Sequence, residues 1–427
     1  MGVFTRATAS RSRTRTATLS GLAFLGAGAL VLTGCSSPGG GDGGNNEKPA
    51  SDLTLKVGTL LPQTGQLAFL GPPEEAAVGL AVKEINDADL GITVDVTYGD
   101  SGDPDNKAFA TTVPNLLGEG VSAIIGAASS GVTKLVIDEV TGAGVIQFSP
   151  ANTSADFTTW DDNGLFWRTA PSDVLQGEVL GNLIAEDGNE TLGILYLNDS
   201  YGTGLAGFVK ENFENAGGEV VEEVSYNAGD TTFDAQVSSL KAANPDAIAL
   251  IAFEETKTIV PALSGYPVDK LYFVDGNLSD YSDTFPPGTL TGAKGTLPGL
   301  DTDELGDFTD RLQEFWKDEG NDELKDYSYA AESYDAVVLL ALAALQAGAT
   351  EGKDIAAELQ SVSGGVKDEK GETCTNFKDC ATLINDGEAV NYDGYSGPIT
   401  FDENGDPTEA TIGIHQYKED NTYERIN

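Results

Sequence analysis

VSAIIGAASSGVTKLVIDEVTGAGVIQFSPANT, residues 121–153, holds two short apolar runs, each followed by a turn of small and hydroxyl-bearing residues. Residues 121–125 have the length and β-branching of a buried parallel strand, which Gly126 ends. Ala127, Ala128, Ser129, Ser130 and Gly131 are small enough to let backbone amides approach a ligand closely. The pattern then predicts a helix over 132–140, its N-terminus facing an anion. A second strand over 145–148 closes on Ser149, Pro150, Ala151, Asn152 and Thr153. Two adjacent strand ends thus offer hydroxyls and free N–H groups to one crevice, the place where open α/β sheets bind ligands. The competing reading is local, because Ser and Thr at such turns also serve as plain N-caps.

The alternation extends outward in both directions. Upstream, strands over 55–60 and 92–98 flank a helix over 72–87, opened by Pro72, Pro73, Glu74 and Glu75, and a helix over 105–119 follows. Downstream the pattern pauses near residues 166–171 and restarts. Helices over 174–186, 203–216, 233–243 and 257–263 alternate with strands over 191–197, 219–226, 246–251 and 271–274. Two long helices near 305–319 and 329–346 return to the first unit, and the last strands cross again. The expected class is α/β, two doubly wound lobes with parallel sheets covered on both faces. Residues 53–170 and 298–405 form the N-terminal lobe, and 171–297 with 406–427 the C-terminal lobe.

Ahead of this body, Arg6, Arg11, Arg13 and Arg15 precede an apolar run over 19–32 that is too short, and too rich in Gly and Ala, to span a bilayer. Residues 1–34 read as an export signal without adjacent arginines. They end in Leu32, Thr33, Gly34 and Cys35, which resembles the lipobox of bacterial lipoproteins, whose cysteine carries the lipid. Residues 35–52, rich in Gly, Ser, Pro and Asn, form a flexible tether. The protein is expected outside the cytoplasm, held to the membrane by its lipid.

Composition narrows the function. With 24 Lys and Arg against 68 Asp and Glu, the formal charge is −44, and loss of the four arginines makes the mature body more negative still. Such a charge argues against nucleic acid and anionic lipid as partners. Cys374 and Cys380 remain after Cys35, and in an exported protein one disulfide closing a small loop is the expectation. A metal site would need more ligands than the single His415 supplies, and one histidine disfavours a Ser-His-Asp or Cys-His enzyme. Gly202 to Gly207 spell the dinucleotide fingerprint, but Asn198, Asp199, Ser200 and Tyr201 separate it from its strand. No cofactor is expected.

Several segments share their order and spacing with a known family. They are VGTLLPQTGQLAFLG (57–71), IIGAASSGV (124–132), QFSPANT (147–153), FWRTAPSDVLQG (166–177), LYLNDSYGTGL (195–205), DAQVSSLKAANPDAIALIA (234–252), YDAVVLL (334–340) and GPITFDENGD (397–406). In these the chain resembles the type I periplasmic binding family, in its Leu/Ile/Val-binding branch, which serves ABC importers. The resemblance implies lobes joined by three crossings, closing on ligand by hinge motion, in a monomer that delivers a small solute to a permease. It also implies that Ser129, Ala151 and Thr153 hold an amino-acid carboxylate and that Tyr201 closes over it. The acid for the ammonium is Asp275, with Glu254 its rival, and Leu70 stands where relatives often have an aromatic. Amides, urea and aromatic acids are alternative ligands. A sensing module for a membrane receptor and a hydrolase with paired carboxylates are alternative functions.

Overall fold

The computed structural model describes residues 53–366 and 371–427. The expected export signal, Cys35 and tether lie outside the described residues.

A five-stranded sheet is built from β1 (Leu53–Leu60), β2 (Ile92–Thr97), β3 (Ala123–Gly126), β4 (Ile146–Ser149) and β5 (Phe166–Arg168), in the order β2-β1-β3-β4-β5. All its neighbours pair in parallel. Helices α1 (Gly71–Ala88), α2 (Phe109–Glu119) and α3 (Ser130–Gly142) make its crossovers. Gly126, with φ of 118°, packs so tightly on β1 that a Cβ there would lie 2.2 Å from the Leu60 carbonyl oxygen. The helix expected from residue 105 begins only at Phe109. Asp103 accepts hydrogen bonds from the amides of Asp105 and Asn106, and Asn106 from those of Asp103 and Ala108. These side chains take up the backbone donors that a longer helix would use.

From α4 (Asp173–Glu186) the chain builds a second sheet with β6 (Thr191–Leu197), β7 (Glu219–Tyr226), β8 (Ala247–Ile251), β9 (Leu271–Phe273) and β10 (Lys294–Pro298). Helices α5 (Ser200–Asn215), α6 (Asp234–Ala243) and α7 (Thr256–Ala262) intervene. The glycine fingerprint lies inside α5, whose cap is Asp199, accepting from the Gly202 amide at 2.8 Å. A Cβ on Gly202 would stand 2.1 Å from the Leu197 carbonyl oxygen, so this glycine serves helix-to-strand packing, with no need of a nucleotide.

Helices α8 (Phe308–Asp318), α9 (Ala330–Ala347), α10 (Gly352–Val362) and α11 (Phe377–Asp386) then return to the first sheet, with a small sheet of β11 (Glu372–Cys374), β12 (Val390–Gly394) and β13 (Gly397–Pro398) beside them. One core joins Leu55, Ile85, Ile125 and Phe148 to Leu339, Leu342, Leu359 and Phe401. Another joins Leu195, Val209, Leu250 and Phe273 to Tyr417. Helix α9 is long and apolar enough for a membrane span, yet 89% of it is buried inside the protein. Cys374 and Cys380 are bonded, tying β11 to α11. The last strands, β14 (Ile412–Tyr417) and β15 (Tyr423–Arg425), complete a seven-stranded sheet of order β15-β14-β10-β9-β8-β6-β7. They differ from the all-parallel expectation, because β14 runs antiparallel to β10 and turns tightly into β15. A short hairpin can join only antiparallel strands.

Arg168, at the end of β5, is wholly buried. Its Nε and Nη2 donate to Asp406 at 2.6 and 2.7 Å, and Nη1 donates to the Ser154 carbonyl at 2.8 Å. Asp406, expected to open the last segment of the second lobe, is therefore still held at the edge of the first sheet. Two other buried acids, Glu74 and Glu332, have carboxyls raised by burial. Neither oxygen of Glu74 has a hydrogen-bond partner, and burial, Glu75 and Glu332 push its carboxyl up. Burial pushes Glu332 up to about 8, even though it sits in the first turn of α9, where the helix dipole favours charge. Desolvation outweighs the dipole here.

Two outcomes are expected. Arg168→Met leaves the Asp406 carboxylate without its partner and should cost about 3–5 kcal/mol in denaturant unfolding. For Glu332 the folded protein holds a proton that the unfolded chain gives up near pH 4.5, so its stabilising share is full below that pH and is lost as pH rises towards 8. Glu332→Gln should accordingly unfold with a shallower fall in stability across that range than the wild type.

Candidate functional site

The two large sheets face each other through the carboxyl ends of their strands, and a cavity of about 20 Å³ lies between them. The first sheet supplies the turns that follow β3 and β4. Ser129, which is extended and precedes α3, accepts from the Val132 amide at 3.3 Å, so it is an N-cap and a cavity wall at once. Its hydroxyl proton remains free to donate outward. Ser130, Ala151 and Thr153 line the same side. The Ala151 amide is already drawn towards the Ser149 hydroxyl at 3.3 Å, which leaves hydroxyls and the α3 N-terminus as the main donors.

The second sheet supplies Tyr201 from the first turn of α5, Phe253 after β8, and Asp275 with Gly276 after β9. Tyr201 and Phe253 stack with ring centroids 5.4 Å apart. Together with Leu67 and Leu70, the Phe253 ring gives the cavity its apolar wall.

Asp275 is the most densely bonded residue of the site. Its Oδ1 accepts from the Tyr201 hydroxyl at 2.6 Å and the Gln176 amide at 3.1 Å, and its Oδ2 from the Tyr329 hydroxyl at 2.7 Å. Tyr329 stands just before α9 with φ of 58°, so it reaches across from the helices packed on the first sheet. Burial raises the Asp275 carboxyl above its usual range, while the two tyrosines and Gln176 pull it back. Burial and the nearby acid likewise push both tyrosine hydroxyls well up, keeping them as donors. Other bonds cross the same gap, from the Ser154 hydroxyl to the Ser200 carbonyl at 3.1 Å and from the Glu254 amide to the Gln66 carbonyl at 3.3 Å.

Of the six expected ligand residues, Ser129, Ala151, Thr153, Tyr201 and Asp275 line this one cavity. Glu254 does not: its carboxylate is partly exposed and pairs with Lys257 one helical turn away. The end of β8 turns that side chain outward, and Phe253 takes the inward place. His415 lies on β14 with its ring edge-on to Tyr423, and burial and Arg425 push it down to about 4. Among the described residues no cluster of His, Cys, Asp or Glu is arranged to hold a metal.

The sequence matches the periplasmic binding protein family over residues 54–421. The chain belongs to that family. This periplasmic binding protein is 28% identical over 364 residues to the chemotactic signal transduction system substrate-binding protein BasB of Halobacterium salinarum, covering 81% of this chain and 83% of that one. It is 32% identical over 194 residues to the leucine-, isoleucine-, valine-, threonine- and alanine-binding protein of Pseudomonas aeruginosa, covering 44% of this chain and 51% of that one. Among solved structures, a leucine-binding protein of Thermotoga maritima superposes with a TM-score of 0.70 at 21% identity, covering 87% and 98% of the two chains. A benzoate complex of a solute-binding protein from R. palustris gives 0.68 at 18%, covering 88% and 96%. At these identities the structural likeness is one of fold. The periplasmic binding protein is an extracytoplasmic solute-binding protein and not an enzyme.

Residues that sequence reasoning missed are Leu67, Phe253, Tyr329 and Gln176. Gln176 sat inside a quoted segment, and its spacing from the β5 end was a usable signal. Nothing local marks Tyr329, whose role comes from a left-handed residue ahead of a helix some 50 positions from its partner.

Ser129→Ala should destabilise the unliganded protein by about 1 kcal/mol through loss of the cap. Thr153→Ala, which caps no helix but removes a buried hydroxyl beside the Asp173 carboxyl, should also cost about 1 kcal/mol. Both should weaken solute binding by about 1.5–3 kcal/mol, the range for a hydrogen bond to a charged group. Denaturant unfolding without ligand and calorimetry with it separate the two effects.

Proposed function

We propose that this protein captures an α-amino acid with an aliphatic side chain and delivers it to an ABC importer, tethered by lipid at Cys35. The observation that carries the reading is Asp275 facing the Ser129 and Thr153 turns across one small cavity. Hydroxyls and a helix N-terminus suit a carboxylate, a buried acid suits an ammonium, and Leu67, Leu70 and Phe253 suit an aliphatic chain. The cavity holds little more than a water as it stands. Solute must therefore enter an opened form, in which the bonds from Tyr329 to Asp275 and from Ser154 to Ser200 are broken, and the hinge then closes on it. Residues 53–170 with 298–406, and 171–297 with 407–427, would move as the two lobes, Asp406 staying with the first through its pair with Arg168.

A second reading has its own support. One of the relatives matched over most of both chains is a chemotactic substrate-binding protein, so the same capture step would serve a signalling receptor. Binding assays treat the two alike, and a pull-down with the membrane partner divides them.

Leucine is the first probe, in a thermal-shift panel with isoleucine, threonine and benzoate. Asp275→Asn should weaken leucine binding at least 100-fold, as expected when one partner of a buried charge pair loses its charge. Glu254→Gln should bind leucine as the wild type does. Undiminished binding of leucine to Asp275→Asn would overturn the amino-acid reading in favour of a neutral or anionic solute.

A further inference from the structure

Behind Asp275 lies a second acid for which the site as described so far has no use. Asp173 opens α4, is completely buried, and neither of its carboxylate oxygens makes a hydrogen bond of good geometry. Its amide donates to the carbonyl of Thr153, a cavity residue, at 2.7 Å. Gln176, three residues on and so on the same helix face, reaches Asp275 with its side-chain amide. Asp173 is thus positioned directly behind both walls of the cavity, the hydroxyl wall and the acidic wall.

The groups that face it are few and can be named. They are Asp275 at the end of β9, Asp199 at the head of α5, the Thr153 hydroxyl, and the hydroxyls of Tyr201 and Tyr329. Arg168 on β5 is the only cation among them, and its guanidinium is held bidentately by Asp406. Two buried carboxyls at such a place cannot both be charged without an added cation. Burial and Asp275 accordingly push Asp173 well up, opposed only by the Thr153 hydroxyl and Arg168.

We infer that Asp173 and Asp275 form a coupled carboxyl pair that holds one proton while the closed cleft is empty, and that the ammonium of an entering solute takes that proton's place. The inference deepens the amino-acid reading and rests on it. The charge balance is simple: one ammonium enters, one proton leaves to water, and both carboxylates end charged around it. Protons of such a pair belong to the pair and not to either residue. Asp173 acts through Asp275 and Thr153, as a positioning residue that makes the site select for a cationic group. A solute without a cation leaves the proton where it is.

Leucine is titrated calorimetrically into the full chain between about pH 5 and 8, in buffers of differing ionisation enthalpy, a range over which leucine keeps its own charges. The expected result is release of close to one proton per leucine, with an affinity that rises with pH towards tenfold per unit while the pair holds its proton. Asp173→Asn should still bind leucine but lose both the pH slope and the proton release. Wild-type binding without proton release anywhere in this range would overturn the inference, as would an Asp173→Asn variant that keeps the wild-type slope. Because burial also raises Glu332 to about 8 and Asp199 to about 6, Glu332→Gln and Asp199→Ser are titrated beside it: both should keep the release of close to one proton, and its loss in either would overturn the assignment to the pair. If no amino acid binds the wild type at any pH, the amino-acid reading falls first and takes the inference with it.

Discussion

A carboxylate removed from water must be met by donors, and Asp275 is met from both sides of the cleft. Tyr201 and Gln176 come from the elements around the second sheet, and Tyr329 from the helices packed on the first. The two tyrosine bonds are short, at 2.6 and 2.7 Å, and the one from Tyr329 would be made by water in an opened cleft. Closing the cleft is thus an exchange of solvation for protein donors at one residue, with the packing of Leu67, Leu70 and Phe253 around it. Site chemistry and hinge position are then one equilibrium, which a ligand shifts only by as much as it prefers the closed form.

The cleft needs a rigid frame, and buried polar contacts supply part of it. Arg168 anchors the end of β5 to Asp406 and to the carbonyls of the turn that contains Thr153. The guanidinium therefore sets the position of a cavity wall without touching the cavity. Thr169, next in the chain, donates to the Glu332 carbonyl at 3.0 Å and couples that crossing to α9, whose preceding residue is Tyr329. The chain leaves the first sheet, holds the second, and returns, with each passage close to a residue that faces solute.

Much of this was legible in the order of residues. Apolar runs of strand length, alternating with helical stretches, determined an α/β fold, because a strand buried on both faces and a helix buried on one leave different periodicities. Ser129, Thr153 and Asp275 were legible because ligands sit beyond the carboxyl ends of parallel strands, and those ends can be counted. Asp275 could not be separated from Glu254 on that ground, as both end apolar runs. Only the register of the β8 and β9 ends decided which carboxylate points inward and which pairs with Lys257. The antiparallel β14 and β15 were hidden for a related reason, as strand direction is a property of the path between strands and not of the strands themselves.

The sequence by itself determined the class of fold, the helix-heading turns and the chemical types gathered at strand ends, all of which depend on neighbours within a few residues. Tertiary structure alone decided the partners of Asp275, the burial of Arg168 and Asp173, and the placing of Tyr329, because each depends on contacts between residues 50 to 240 positions apart. A carboxyl's charge follows from how much water it has lost and which dipoles replace it. That quantity has no local signature, and it is what makes the cavity a site.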